Sequence, residues 1–114
     1  MDDLIKKLTA YGADTPGAMG RFLDDVDLYK TCFAMFLADE SFAQLDAAIA
    51  QADYAKAFEY AHTLKGVAGN MGLTPLYQVI CHIVEALRSA DYAPLSADQA
   101  ELHRQLDTLS RFPA

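Results

Sequence analysis

Basic residues are scarce in this sequence. Nine Lys and Arg stand against sixteen Asp and Glu, a formal charge of −7 with a sequence pI near 4.6. Nucleic acid and anionic membrane both call for a basic footprint, so neither is expected as a partner. Long apolar runs are missing too. None approaches the roughly 20 residues that a spanning helix needs. The Met-Asp-Asp-Leu-Ile-Lys-Lys start carries acids where a signal peptide needs basic residues. A cytoplasmic location is therefore expected. Cys32 and Cys81 are the only cysteines, and both fall in apolar helical patterns. That placement predicts buried free thiols rather than a disulfide, in keeping with a reducing compartment. Two cysteines and three scattered histidines offer no metal-ligand spacing, so no metal site is expected. Six glycines and four prolines, most of them at boundaries, favour an all-helical chain.

What is present suits one globular domain spanning residues 1–114. At 53% hydrophobic and 22% charged, the composition can supply a core without disulfide or metal staples. A short amphipathic helix with Leu4, Ile5 and Leu8 on one face opens the chain and ends at Gly12. Thr15-Pro16 reads as an N-cap and first helical residue, followed by a turn or two from Gly17 to Leu23. These pieces form an N-terminal helical cap over about residues 1–24. Asp24 or Asp25 can cap the longest helix, from near Val26 to Gln51. Its stripe is Leu28, Cys32, Met35, Phe42, Leu45 and Ile49, widened by Phe33, Phe36 and Leu37. The stripe breaks at Asp39, so either the helix kinks there, or Asp39 or Ser41 caps a second segment.

Asp53 can cap a helix over about 54–71, and Gly72 has the place of a left-handed residue ending it. Thr74-Pro75 then supply the cap and first residue of a helix reaching about Ala90, striped by Leu76, Val79, Ile80, Ile83 and Leu87. Ser96 and Gln99 read as a capping box for a last helix carrying Leu102, Leu106, Leu109 and Phe112. Four longer helices with short links predict an antiparallel four-helix bundle, with the extra short N-terminal helices covering one end or side.

The helix over 54–71 contains Gly66 and Gly69, each costing roughly 1 kcal/mol relative to alanine. A steric reason is expected. His62, Gly66 and Gly69 fall at i, i+4 and i+7 and share one face. The apolar stripe lies about a quarter to a third of a turn away, which puts His62 at the rim of the buried face. The glycines leave the turns beyond it bare. Lys65 lies between His62 and the stripe, so its stem can cover apolar surface while its ammonium stays near the ring. Histidine ordinarily titrates near pH 6.5, so a neutral nucleophilic nitrogen is available at neutral pH. A nucleophile, a bare approach and a cation suit an anion on a bulky donor, and a phosphoryl group fits best. Taken singly, His62 is a boundary histidine, Lys65 a snorkelling lysine and the glycines packing devices; their shared register carries the reading. His82 and His103 read as solvated helix residues without such neighbours.

His62-Thr63-Leu64-Lys65-Gly66, followed by Ala68, Gly69, Gly72 and Leu73, resembles the histidine phosphotransfer (HPt) domain motif, roughly H-x-L-K-G-x-[SA]-x-x-x-G. The resemblance covers about Leu28 to Leu109. It implies a four-helix bundle that carries phosphate on His62 Nε2. Lys65 would offset the phosphoryl charge, and Gly66 would clear space for a receiver domain. Gly69 would extend the same bare face. Glu59, one turn before His62, is a candidate for that docking face and for bonding Nδ1. The implied partner is the receiver domain of a response regulator or hybrid histidine kinase, which would supply Mg2+; the chain itself needs no cofactor. It has no glycine-rich nucleotide motif and reads as a monomeric carrier, not an enzyme using ATP. Many members set a glutamine or glutamate of the next helix against Nδ1. The matching position here is Val84, with Glu85 one residue on, so the Nδ1 partner is left open. A kinase dimerisation helix pair is disfavoured, because its histidine is followed by acid and then Thr/Asn-Pro. An adaptor that binds receivers without carrying phosphate is the alternative, and the intact His62 argues against it. A receiver phosphatase would have only Gln78 and Glu59 to orient water, neither within a motif.

Overall fold

The computed structural model describes residues 2–113; Met1 and Ala114, the ends of the expected domain, lie outside the described residues. Seven helices and no strand occur among those residues. They are α1 (Asp3–Tyr11), α2 (Thr15–Arg21), α3 (Val26–Leu37), α4 (Ser41–Ala50), α5 (Tyr54–Asn70), α6 (Thr74–Arg88) and α7 (Leu95–Ser110). Part of the acidic excess serves as helix caps. Asp2, Asp14, Asp25 and Asp53 accept bonds from first-turn N–H groups of α1, α2, α3 and α5. A carboxylate there satisfies orphan donors and sits at the positive end of the helix dipole.

The bundle is built from α5, α6, α7 and a broken strut made of α3 and α4. α5 packs between α4 and α6, and α6 packs on α7. α7 runs along the strut: Asp46 on α4 accepts from Gln99 at 3.0 Å and pairs with His103 at 2.8 Å. Further along, Phe33 and Leu37 of α3 share an apolar cleft with Leu109 and Phe112. The expected stripe of α6 is fully inside: Leu76, Val79, Ile80, Ile83 and Leu87 are all buried.

The N-terminal helices close the end of the bundle where α5 turns into α6. Leu4 and Leu8 are fully buried. The Tyr11 hydroxyl donates to Gln105 Oε1 at 2.6 Å, and its ring meets Phe112 edge-on. Tyr29 donates to the Met71 carbonyl at 2.8 Å. Burial pushes the Tyr11 phenol up to about 12 and raises Tyr29 as well, so both stay protonated donors. The Asp14 N–H bonds the Gly72 carbonyl at 2.8 Å. Gly72 itself has φ +69°, and a Cβ there would lie 2.5 Å from the Asp14 carbonyl oxygen. Leu73 N–H reaches back to Ala68 O and Gly72 N–H to Gly69 O, the paired bonds of a Schellman ending.

Several expected elements are corrected. The long helix from Val26 to Gln51 is two helices; Glu40, not Asp39 or Ser41, holds the cap position of the second, while Asp39 Oδ1, one residue earlier, accepts the Ser41 N–H at 2.8 Å. On α3 the core face is Tyr29, Phe33 and Phe36, whereas Leu28 and Met35 are 44% and 68% exposed and Cys32 is half-buried. α3 is apolar nearly all round, and the aromatic face removes more apolar area from water. Cys32 and Cys81 are free but only half-buried. Asp14, not Thr15, caps α2; Thr15 is buried within the helix and its hydroxyl meets that of Thr9 at 2.9 Å. Leu73, not Thr74, holds the cap position of α6, and no side chain caps that end. The Ser96–Gln99 capping box does not form. α7 already begins at the buried Leu95, and the Gln99 amide finds the Asp46 carboxylate instead.

Gly72→Ala adds the left-handed penalty to a backbone clash and disturbs the Asp14 bond. It is expected to lower stability by about 2–4 kcal/mol. Denaturant unfolding of the two proteins measures this, and an unchanged midpoint rejects the account of this turn.

Candidate functional site

The outward face of α5 carries His62, Gly66 and Glu59, all exposed. His62 makes no hydrogen bond through either ring nitrogen among the described residues; its ring stacks on Phe58, one turn earlier, with centroids 5.8 Å apart and planes 30° apart. Such i, i+4 aromatic neighbours meet on a helix surface. The Arg88 guanidinium of α6 lies 5.8 Å from the Phe58 centroid and pairs with Glu85 at 2.8 Å. Lys65 is half-buried, enters no ion pair among the described residues and lines one shallow cleft with His62.

The two glycines of this helix have different reasons. A Cβ on Gly66 would meet nothing within 4 Å. Nothing inside this chain asks for a glycine there. A Cβ on Gly69 would come 3.2 Å from Cε1 of Tyr77, so Gly69 lets the Tyr77 ring close onto α5. The expectation that Gly69 is simply bare is corrected: Tyr77 covers part of it. Tyr77 thereby becomes a wall of a shallow cleft of about 260 Å³, with His62, Lys65, Gly66, Gly69 and Asn70 as the other lining residues. The Cys81 thiol beside its hydroxyl pushes the Tyr77 phenol up, keeping it a donor.

Lys65 and Val67 sit on opposite flanks of Gly66, each ~100° around the helix. On the Val67 side, Cys32, Met35 and Phe36 of α3, with Asp39 just beyond the helix, line an adjoining shallow cleft. The stripe that the sequence assigns to the core is thus partly an apolar flank of the His62 face.

The open question about Nδ1 resolves to an absence among the described residues. Val84 is buried at 1% exposure, Glu85 points to solvent with Arg88, and Glu59 makes no bond to His62. His82 is exposed, whereas His103 is bonded to Asp46 rather than merely solvated. Sequence reasoning missed Phe58 as the ring against His62 and Tyr77 as a wall of the cleft. The i, i+4 spacing of Phe58 and His62 was a usable signal; the Tyr77 contact crosses a turn and had none. Among the described residues, no helix is long and apolar enough to cross a membrane, and no group of three His, Cys, Asp or Glu is placed to hold a metal.

The family model for the Hpt domain matches residues 34–112, from within α3 to just beyond α7. No curated protein and no solved structure matches the chain. The matched span holds the His62 helix and the three helices that build the bundle around it with the α3 end. On that match and its all-helical architecture, the chain belongs to the Hpt domain family, whose members take part in two-component phosphorelays.

Proposed function

We propose that the chain is a phosphocarrier in which His62 takes a phosphoryl group from a receiver-domain aspartate, or from a kinase, and passes it to another receiver. The observation that carries this reading is Gly66: a mid-helix glycine with open space over it, near an exposed histidine and a lysine that have no hydrogen-bond or ion-pair partner among the described residues. A glycine that this chain does not need for its own packing is accounted for by a partner that does.

The step balances simply. The Nε2 lone pair attacks phosphorus while the bond from phosphorus to the aspartyl oxygen breaks, and that electron pair leaves on the aspartate carboxylate. The Nδ1 proton, with no partner among the described residues, can pass to water. Lys65 offsets charge on the phosphoryl oxygens, and the rest is alignment. The receiver brings its own Mg2+ and acidic pocket, so the carrier needs no metal. Docking spreads from the bare Gly66 to the apolar flank of Val67, Cys32 and Met35 on one side, and to Gly69 and Tyr77 on the other. Glu59 borders the same face. A monomer working in the cytoplasm suits this role.

His62→Gln is expected to abolish labelling from a phosphorylated receiver while changing stability by less than about 0.5 kcal/mol, because the side chain is exposed. Undiminished labelling of the variant would sink the assignment. Receiver binding without any labelling of the wild type would instead favour the adaptor role. Gly66→Leu should move two readouts in opposite directions. Stability rises by up to about 1 kcal/mol from helix propensity, while transfer falls about tenfold or more because the leucine blocks close docking. Normal transfer kinetics in that variant would refute the steric role. Lys65→Ala should slow transfer about tenfold, equivalent to ~1.4 kcal/mol of transition-state stabilisation. Its thermal midpoint should stay close to wild type, and a matching loss in both would mark Lys65 as a structural residue.

A further inference from the structure

We infer that Phe58 is the positioning residue of the acceptor histidine, holding the imidazole by its ring face where no hydrogen bond holds it by a nitrogen. The inference rests on the phosphocarrier reading and adds to it the means by which the ring is aimed. Four side chains form an unbroken row from α6 to α5. Glu85 accepts from Arg88 at 2.8 Å, the Arg88 guanidinium lies 5.8 Å from the Phe58 centroid, and the Phe58 ring lies 5.8 Å from that of His62. Nothing else among the described residues bonds the imidazole.

The physical need is specific. Rotation about the bond joining an imidazole to its Cβ has broad, roughly two-fold wells, so an unbonded ring on an exposed helix face samples many directions. In-line attack on phosphorus requires one of them. A carboxamide or carboxylate on Nδ1 would fix both ring direction and tautomer, but the position suited to it is the buried Val84. A face contact does half of that work. It fixes the plane of the ring and leaves open which nitrogen carries the proton, because the tautomer follows from the hydrogen bond that the other nitrogen makes. Phe58 is itself half-buried, which ties its own ring to the α5–α6 groove, and the cation over it adds a second tether. Glu85, one residue away from the vacant partner position, acts here at two removes: it orients Arg88, which sits over Phe58.

The test uses the full chain with Phe58→Leu, Phe58→Tyr and Arg88→Gln. Leucine keeps apolar volume but has no ring, and tyrosine restores one. The first readout is NMR of the His62 imidazole, through its ring-current shifts and side-chain couplings; it needs no phosphate. The second is single-turnover phosphate acceptance from receiver domains charged with acetyl phosphate. Phe58→Leu is expected to move the imidazole resonances to those of a freely rotating histidine and to slow acceptance about tenfold. Phe58→Tyr should restore both, and Arg88→Gln should fall between. Imidazole resonances and couplings unchanged in Phe58→Leu overturn the positioning role, whatever the transfer kinetics. A released ring with undiminished acceptance overturns it as well, since aim then does not matter. A wild type that takes no label from any receiver overturns the phosphocarrier reading instead, and the NMR comparison still decides whether Phe58 orients the ring.

Discussion

The His62 helix is held from its far end. Four consecutive carbonyls close α5, and each receives a donor from the segments before α4: Gly69 and Asn70 from Arg21, Met71 from the Tyr29 hydroxyl, Gly72 from the Asp14 N–H. The last carbonyls of any helix lack intrahelical partners. Here the Schellman bonds satisfy Ala68 and Gly69 from within the turn, and the further donors at Gly69, Asn70, Met71 and Gly72 come from α2, the loop before it and the start of α3, all outside residues 34–112. The bundle match and the piece that anchors its central helix are therefore different stretches of the chain. A fragment cut to the matched span would keep the Schellman bonds but lose the donors that Arg21, Tyr29 and Asp14 bring to the end of α5.

Much of this was legible in the sequence, and the illegible parts share a cause. Helix existence, the α6 core stripe and the left-handed Gly72 follow from local pattern, because periodicity and φ preference act over a few residues. The face of α3 does not. Its residues are apolar on nearly every side, so the register of Tyr29, Phe33 and Phe36 was settled by what they meet in three dimensions. Caps failed in the same way. Ser96 and Gln99 have capping-box spacing, but Leu95 was worth more inside the core, and Asp46 on another helix gave the Gln99 amide a carboxylate. Local motifs lose when a distant partner offers burial or charge.

At the site, the shared register of His62, Lys65, Gly66 and Gly69 was readable, yet one property of the set was not. Two glycines on one face look alike in sequence. In the folded chain one is filled from across the turn by Tyr77 and the other stays open. That difference separates a glycine that Tyr77 packs against from one with open space over it, and under the proposed reading the open one is where a receiver comes close.

The flanks of Gly66 are unlike: an ammonium and a phenol on one side, a thiol, a thioether and apolar surface together with the Asp39 carboxylate on the other. A visitor rotated by half a turn about His62 would press apolar atoms against Lys65 and set polar ones on Met35 and Val67. Both mismatches leave groups desolvated without compensation. The bare face is therefore directional like a keyed socket, and the handedness of approach is written into the two edges rather than into the histidine.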